Sequence, residues 1–289
     1  MTESNVLFEV SQGVATLTLN DAARLNPLTT ELLRDSMAAL QRVHEERDIR
    51  VLVLTAKGRG FCVGADLTAL GAVGHGAATA AAGAATDVGA KLSEIHAPAT
   101  GLATAVGDLM EQGGNPFVTA LRELPVPVLC AINGVLAGGG VGVALAADVT
   151  IAARSAYFYL PFVPALGLVP DMGSAWFLQR AVGRSRALAL SLLGERLSAE
   201  QAMQWGLIWS CVDDAELAAE TQRIATRLAA LPAHSALETR ALFDHAEAAR
   251  LPEQLRYEAE RQRELITGPA FAEGLAAFAA KRKPMFNSR

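Results

Sequence analysis

The chain has 289 residues and a net charge of −5 at pH 7, enough length for one large domain or two small ones whose core needs no disulfide support. Hydrophobic residues make up 51% and charged residues 19%, which excludes a disordered chain, and the acidic balance argues against a sequence-independent nucleic-acid binder with its basic face. The cysteines Cys62, Cys130 and Cys211 are odd in number, far apart and without a CxxC. That pattern disfavours a disulfide framework or structural zinc and fits a reducing, cytoplasmic compartment.

In chain order, Met1 to Val10 shows no basic stretch leading into an apolar run, so no secretory signal is expected. Val6 to Val10 and Val14 to Leu19 have strand patterning around Gln12-Gly13. Leu28 to Val43 has helical spacing, with Leu32, Leu33, Met37, Leu40 and Val43 on one face and Thr29 or Thr30 able to cap it. Val51 to Thr55, Val126 to Ile132 and Val149 to Ala153 are continuous apolar runs, as expected of strands covered on both faces. Gly71 to Gly114 is rich in Ala, Gly and Thr and reads either as a surface insertion or as a cover over a pocket. Val126 to Ala147 carries no charge, but Pro127, Asn133 and its glycines favour a buried strand, a turn and a helix over a membrane span. Beyond it, Ser198-x-x-Gln201 is a capping-box pattern that Gly206 can close. Helical spacing follows from Ala215, His234, Pro252 and Pro269.

Several motifs fail. In Gly138-Gly139-Gly140-Val141-Gly142 no register completes GxGxxG, and GxxxxGK[ST], HExxH and GxSxG are missing. The histidines form no ligand-spaced pair, so no metal site is expected. Two glycine turns remain, each directly after an apolar strand: Gly58 to Leu67 and Ile132 to Gly142. Glycines let backbone approach a ligand closely, and one N–H from each turn can make an oxyanion hole. Each turn alone is also compatible with simple tight packing.

Together and in this order, these segments resemble the enoyl-CoA hydratase/isomerase (crotonase) family over nearly the whole chain. Arg24-Leu25-Asn26-Pro27-Leu28-Thr29 is similar to its first CoA-contacting turn. Phe61 to Leu67 and Ile132 to Gly142 are similar to its two oxyanion turns, and Leu168 to Gly173 to its later catalytic segment. Glu195 to Ala202 and Glu273 to Pro284 are similar to the opening of its helical region and its closing helix. The resemblance implies an α/β fold, a right-handed spiral of ββα units with a C-terminal helical trimerisation region. The expected division is a spiral core over 1–210, carrying the insertion 71–114, and a helical region over 211–289. It implies an acyl-CoA substrate, coenzyme A being part of that substrate rather than a cofactor, and a homotrimer or dimer of trimers with neither nucleic acid nor membrane as partner. The backbone N–H groups of Ala65 and Gly139 would be the oxyanion donors, with Arg24, Leu25, Ala65, Asp66, Leu67, Lys281 and Lys283 on the CoA. Lys281, Arg282 and Lys283 are equally readable as a solvated basic helix end.

The carboxylates separate the possible reactions. Family hydratases carry one glutamate just after the GGG turn and another about twenty residues later, a pair suited to adding water. Here the first position is Gly142, and the second falls in Tyr159 to Pro164, which has no carboxylate; the spacing from Phe162 to Gly167 is one residue longer than the family's. Asp171, in Val-Pro-Asp-Met-Gly, matches the catalytic acid of members that shift enoyl-CoA double bonds, including ring-modified phenylacetyl-CoA isomerases. Apolar surroundings would raise its pKa. Its other reading is an N-cap for a helix from Met172 to Val182. Asp66 is expected to hold its turn, Asp148 to be structural, and Glu195 and Glu200 to sit at helix ends. Tyr157, Phe158, Tyr159, Phe162 and Trp176 could line an aromatic-friendly pocket or be core. The expected activity is an enoyl-CoA isomerase with Asp171 as proton shuttle. The alternatives are a hydratase, hydrolysis or displacement on an aromatic acyl-CoA at Asp171, and a silent acyl-CoA binder.

Overall fold

A computed structural model describes residues 4–66 and 100–286. Leu67 and residues 71–99 of the expected insertion lie outside the described residues. The chain builds two sheets at once. One is six-stranded, from β1 (Val6–Ser11), β2 (Val14–Leu19), β3 (Val51–Ala56), β5 (Val128–Ile132), β7 (Val149–Ala153) and β10 (Ser210–Val212) in the order β1-β2-β3-β5-β7-β10. The other is four-stranded, from β4 (Gly60–Cys62), β6 (Val135–Ala137), β8 (Tyr157–Tyr159) and β9 (Leu197–Ser198) in the order β4-β6-β8-β9. Successive pairs β3/β4, β5/β6 and β7/β8 each give one strand to each sheet, so the chain climbs as a ββα spiral. Parallel pairing joins β2 to β3, β3 to β5, β5 to β7, β4 to β6 and β6 to β8.

The apolar runs follow from burial on both faces. Leu52 and Leu54 point into the main core, while Val51 and Val53 face a second core with Leu217, Ile224 and Ala225. The last three lie on the helix Leu217–Ala229, which covers the outer face of the large sheet. The strand expected from Val126 begins at Val128, since Pro127 has no N–H for a ladder and only its carbonyl pairs, accepting from Leu52 at 2.9 Å. The uncharged stretch 126–147 is β5, β6 and the short helix Gly140–Leu145. No helix among the described residues is long and apolar enough to cross a membrane.

Helix α1 (Thr30–Glu45) starts two residues later than its hydrophobic spacing suggests, because the Thr29 hydroxyl accepts the Leu32 N–H and fixes the cap there. The end of the expected insertion is ordered helix: α2 (Thr100–Leu109), a π-turn over Met110–Gly114, and α3 (Asn115–Glu123). Gly114 at its end is buried, while Gly101, Ala103, Thr104, Asp108, Glu111 and Gln112 are exposed. Ser198 caps Ala199–Gln204 by accepting from Gln201 N–H at 3.2 Å, but the Gln201 amide reaches Gln204 instead of returning to Ser198, so the box is half formed. Glu200, in that helix's first turn, pairs with Arg154. Further α-helices among the described residues are Ser174–Leu193, Ser235–Ala248, Leu251–Ile266 and Pro269–Ala279.

Arg240 fastens Ser235–Ala248 to the spiral. Its guanidinium donates to both Asp148 oxygens (2.7 and 2.6 Å) and to the carbonyls of Arg122, Leu124 and Val126 (2.9, 2.5 and 2.9 Å). Asp148 also accepts the Val128 N–H at 2.7 Å, the structural role expected of it. Removing the buried guanidinium leaves three carbonyls without a donor and the partly exposed Asp148 without its cation. Arg240→Ala is therefore expected to lower unfolding stability by about 2–4 kcal/mol in urea titration. A loss under about 1 kcal/mol would show that the pair contributes little.

Candidate active site

The site is built where the loop after β3 meets the loop after β5. Pairing of β4 with β6 sets Gly60 opposite Val135 and Cys62 opposite Leu136, and the Asn133 amide donates to the Gly58 carbonyl at 2.7 Å. The two glycine turns therefore stack. A Cβ on Gly64 (φ 79°) would lie 3.0 Å from the Gly139 nitrogen and 3.2 Å from the Gly138 Cα, so only glycine fits there. Ala65 forms an isolated parallel bridge with Leu28, in which the Leu28 N–H donates to the Gly64 carbonyl at 2.8 Å. In that register the Ala65 N–H turns away from Leu28. Among the described residues neither the Ala65 nor the Gly139 N–H has a hydrogen-bond partner, as an oxyanion hole requires.

The segment of Arg24 is held against the first turn. Asn26, fully buried, donates to the carbonyls of Lys57 and Gly60 (3.0 and 2.9 Å) and accepts the Asp21 N–H at 2.7 Å. The left-handed backbone of Leu25 and Asn26 (φ 64° and 56°) is fixed by those bonds. Arg24 pairs with Asp66 at 2.7 Å and also with Asp21. Asp66 thus does hold its turn, by tying it to Arg24. Leu25 packs over Gly60. Lys281 and Lys283 are exposed at the chain's end, beside Arg282, which pairs with Glu273.

Asp171 comes from the other side. A Cβ on Gly139 would lie 3.0 Å from Asp171 Oδ1 and 3.4 Å from Leu28 Cδ1. The carboxylate and the second glycine turn are therefore neighbours. Asp171 does not cap a helix with its side chain: helix Ser174–Leu193 begins after Gly173, and only the Asp171 backbone carbonyl takes part, accepting the Ser174 N–H at 2.9 Å. The reason is the left-handed backbone of Met172 and Gly173 (φ 52° and 76°), which turns the side chain away. Oδ1 of Asp171 is buried without a hydrogen-bond partner. Burial pushes this carboxyl up to about 6, into the range where a group can both take and return a proton near neutrality.

Both hydratase positions are accounted for physically. At Gly142 a Cβ would overlap the Met172 carbonyl oxygen and lie 2.7 Å from its carbon, so the backbone carrying Asp171 fills the room a glutamate would need. At the second, residues Phe162–Leu166 form a π-turn in which the Gly167 N–H reaches the Phe162 carbonyl. A π-turn takes up one residue more than an α-turn, which absorbs the extra residue of the spacing. Phe162 is buried, 3.8 Å from the Cβ position of Gly138. Trp176 belongs elsewhere: its ring lies under Arg180, 3.9 Å from the centroid, and lines a separate groove of about 750 Å³ with Arg122, Asp244 and Glu247. Cys62 is buried beneath Gly140, and burial pushes its thiol up to about 12, so it supplies no thiolate. Among the described residues no group of three or more His, Cys, Asp or Glu gathers as a metal site would.

The sequence model of the enoyl-CoA hydratase/isomerase family matches residues 9–107 and 88–289. The 1,2-epoxyphenylacetyl-CoA isomerase of Escherichia coli (strain K12) is 40% identical over 284 residues, 98% of each chain. A protein named "Probable enoyl-CoA hydratase" from Rhodobacter capsulatus is 36% identical over 289 residues, all of both chains. The chain belongs to the enoyl-CoA hydratase/isomerase family. An enoyl-CoA hydratase structure from Polaromonas sp. JS666 superposes with a TM-score of 0.82 at 27% identity, over 98% of this chain and 99% of that one. The fold is thus the family's ββα spiral with a C-terminal helical region, and the protein is an enzyme of this type. Sequence reasoning singled out the glycine turns and Asp171, which the structure brings side by side; it did not single out Met172, whose left-handed backbone no residue pattern announces.

The raised Asp171 pKa makes a stability prediction. Ionisation is disfavoured in the folded chain, so the penalty is absent below the unfolded pKa near 4 and complete above about 6. Asp171→Asn is therefore expected to stabilise the protein by about 1–2 kcal/mol at pH 8, discounted for partial exposure, and by about nothing at pH 4. Urea titrations at both pH values check this, and equal gains at the two would contradict it.

Proposed function

We propose that the enzyme isomerises an acyl-CoA by moving a double bond, with Asp171 as its single acid/base group. The Asp171 carboxylate takes a proton from the carbon next to the thioester carbonyl of a 3-enoyl-CoA. The electron pair spreads onto the carbonyl oxygen, and the N–H groups of Ala65 and Gly139 hold the resulting dienolate; one such donor is worth about 3 kcal/mol. Protonated Asp171 then returns the proton two carbons further along, giving the 2-enoyl-CoA with no atom gained or lost. Arg24, Leu25, Ala65 and Asp66 line the CoA side, and Lys281 and Lys283 meet its phosphates. Coenzyme A enters with the substrate, and no further cofactor is required by this chemistry.

The observation that carries this reading is the carboxylate beside Gly139 together with the filled space at Gly142. Among the described residues no other charged group bears on the Asp171 carboxyl, whereas hydration calls for a second acid/base to handle the water. The name of the E. coli relative, an isomerase of a phenylacetyl-CoA derivative, supports isomerisation over hydration, and the buried Phe162 ring near Gly138 supplies an apolar wall. The free, separated cysteines support a cytoplasmic setting. Exposed Leu251, Leu255, Leu275 and Phe278 on the C-terminal helices support a homotrimer or dimer of trimers.

Asp171→Asn is expected to cut isomerase kcat by about 10²- to 10⁴-fold while a saturated acyl-CoA still binds to within a few fold. Turnover at the wild-type rate would remove Asp171 from the reaction.

A further inference from the structure

Met172 is a buried side chain on left-handed backbone, a conformation that bulky residues rarely adopt. Such outliers persist only where surrounding structure over-determines them, and they cluster at functional sites. The determinants here are three glycines from two segments, Gly114 in one and Gly139 and Gly142 in the other. At Gly114, in the π-turn before α3, a Cβ would overlap the Met172 sulfur and lie 2.8 Å from its Cε. At Gly139 a Cβ would lie 2.8 Å from Met172 Cγ, and at Gly142 it would overlap the Met172 carbonyl. Each glycine leaves open the space into which one part of Met172 fits.

The neighbouring residue shows what this arrangement does. Asp is among the preferred helix N-caps, and Asp171 stands three residues before the first residue of helix Ser174–Leu193. Capping would satisfy its carboxylate with backbone N–H groups. Instead Oδ1 is buried without a partner and lies 3.0 Å from the Cβ position of Gly139. A buried polar atom left unpaired beside a strained residue points to a functional constraint.

We propose that Met172 is a positioning residue: locked left-handed by Gly114, Gly139 and Gly142, it holds the Asp171 carboxyl against the Gly139 turn and off the amino end of helix Ser174–Leu193. The inference rests on the acid/base role of Asp171. Replacement of Met172 by glycine removes the wedge and frees the backbone, so the carboxyl can swing to the helix end. Leucine conserves volume and keeps the wedge.

The test is a double-mutant cycle on the full chain with a 3-enoyl-CoA. Met172→Gly is expected to lower kcat about 10- to 100-fold with KM within about threefold, the scale of a misplaced catalytic group. Met172→Leu should stay within about threefold of wild type. In an Asp171→Asn background, Met172→Gly should change the residual rate less than about twofold, since a residue acting through Asp171 has nothing left to position. An equal fall in both backgrounds, or wild-type kcat in Met172→Gly, overturns the proposal. Asp171→Asn at wild-type turnover instead overturns the acid/base reading beneath it. If Met172→Gly shows no cooperative melt, Met172→Ala replaces it in the same cycle, with the same outcomes.

Discussion

Close backbone contact between Gly142 and Met172 sets the packing around Asp171. The helix that follows the second glycine turn and the segment that enters helix Ser174–Leu193 approach so closely that a Cβ at Gly142 would overlap the Met172 carbonyl. In a packed interior no such volume can be shared. A carboxylate can be carried on one side of this contact or the other, and here Asp171 carries it. The absence of a glutamate at position 142 and the presence of Asp171 are therefore one structural fact.

That contact also sets the electrostatics. Asp148 is bonded by Arg240 and the Val128 N–H. Asp66 is paired with Arg24. Asp171 is placed beside the second glycine turn with an unpartnered buried oxygen, and burial raises its pKa to about 6. Paired carboxylates hold elements together, and the unpaired one is left able to exchange a proton. The same backbone geometry that denies Asp171 a capping role keeps its carboxyl off the helix N–H groups, and its own backbone N–H lowers the pKa by less than burial raises it.

Much of this was legible in the sequence because the signals were local. Continuous apolar runs marked β3, β5 and β7, which are covered on both faces. The order of the glycine turns, Arg24 to Thr29 and Val-Pro-Asp-Met-Gly pointed to the spiral and to Asp171. The boundaries that moved had specific causes: Pro127 cannot donate to a ladder, and Thr29 rather than Leu28 sets the start of α1. The spacing of 162–167 showed an extra residue but not that a π-turn would take it up. Trp176 looked like a pocket aromatic because sequence does not say which way a helix face turns; it stacks with Arg180 instead. Met172 was invisible, since nothing in its residue type announces a positive φ, and the glycines that contact it, Gly114, Gly139 and Gly142, are thirty or more residues away along the chain.

The most direct test of the account is the mass of the product. The purified enzyme is incubated in ¹⁸O-labelled water with a 3-enoyl-CoA and, separately, with its 2-enoyl isomer, and the thioesters are followed by mass spectrometry and by the absorbance of the conjugated product. One acid/base group and an oxyanion hole predict interconversion of the two isomers at unchanged mass and without ¹⁸O. Conversion of the 2-enoyl-CoA into a product heavier by one labelled water would contradict the account, because it would require a second proton-transfer group where the structure has packed Met172.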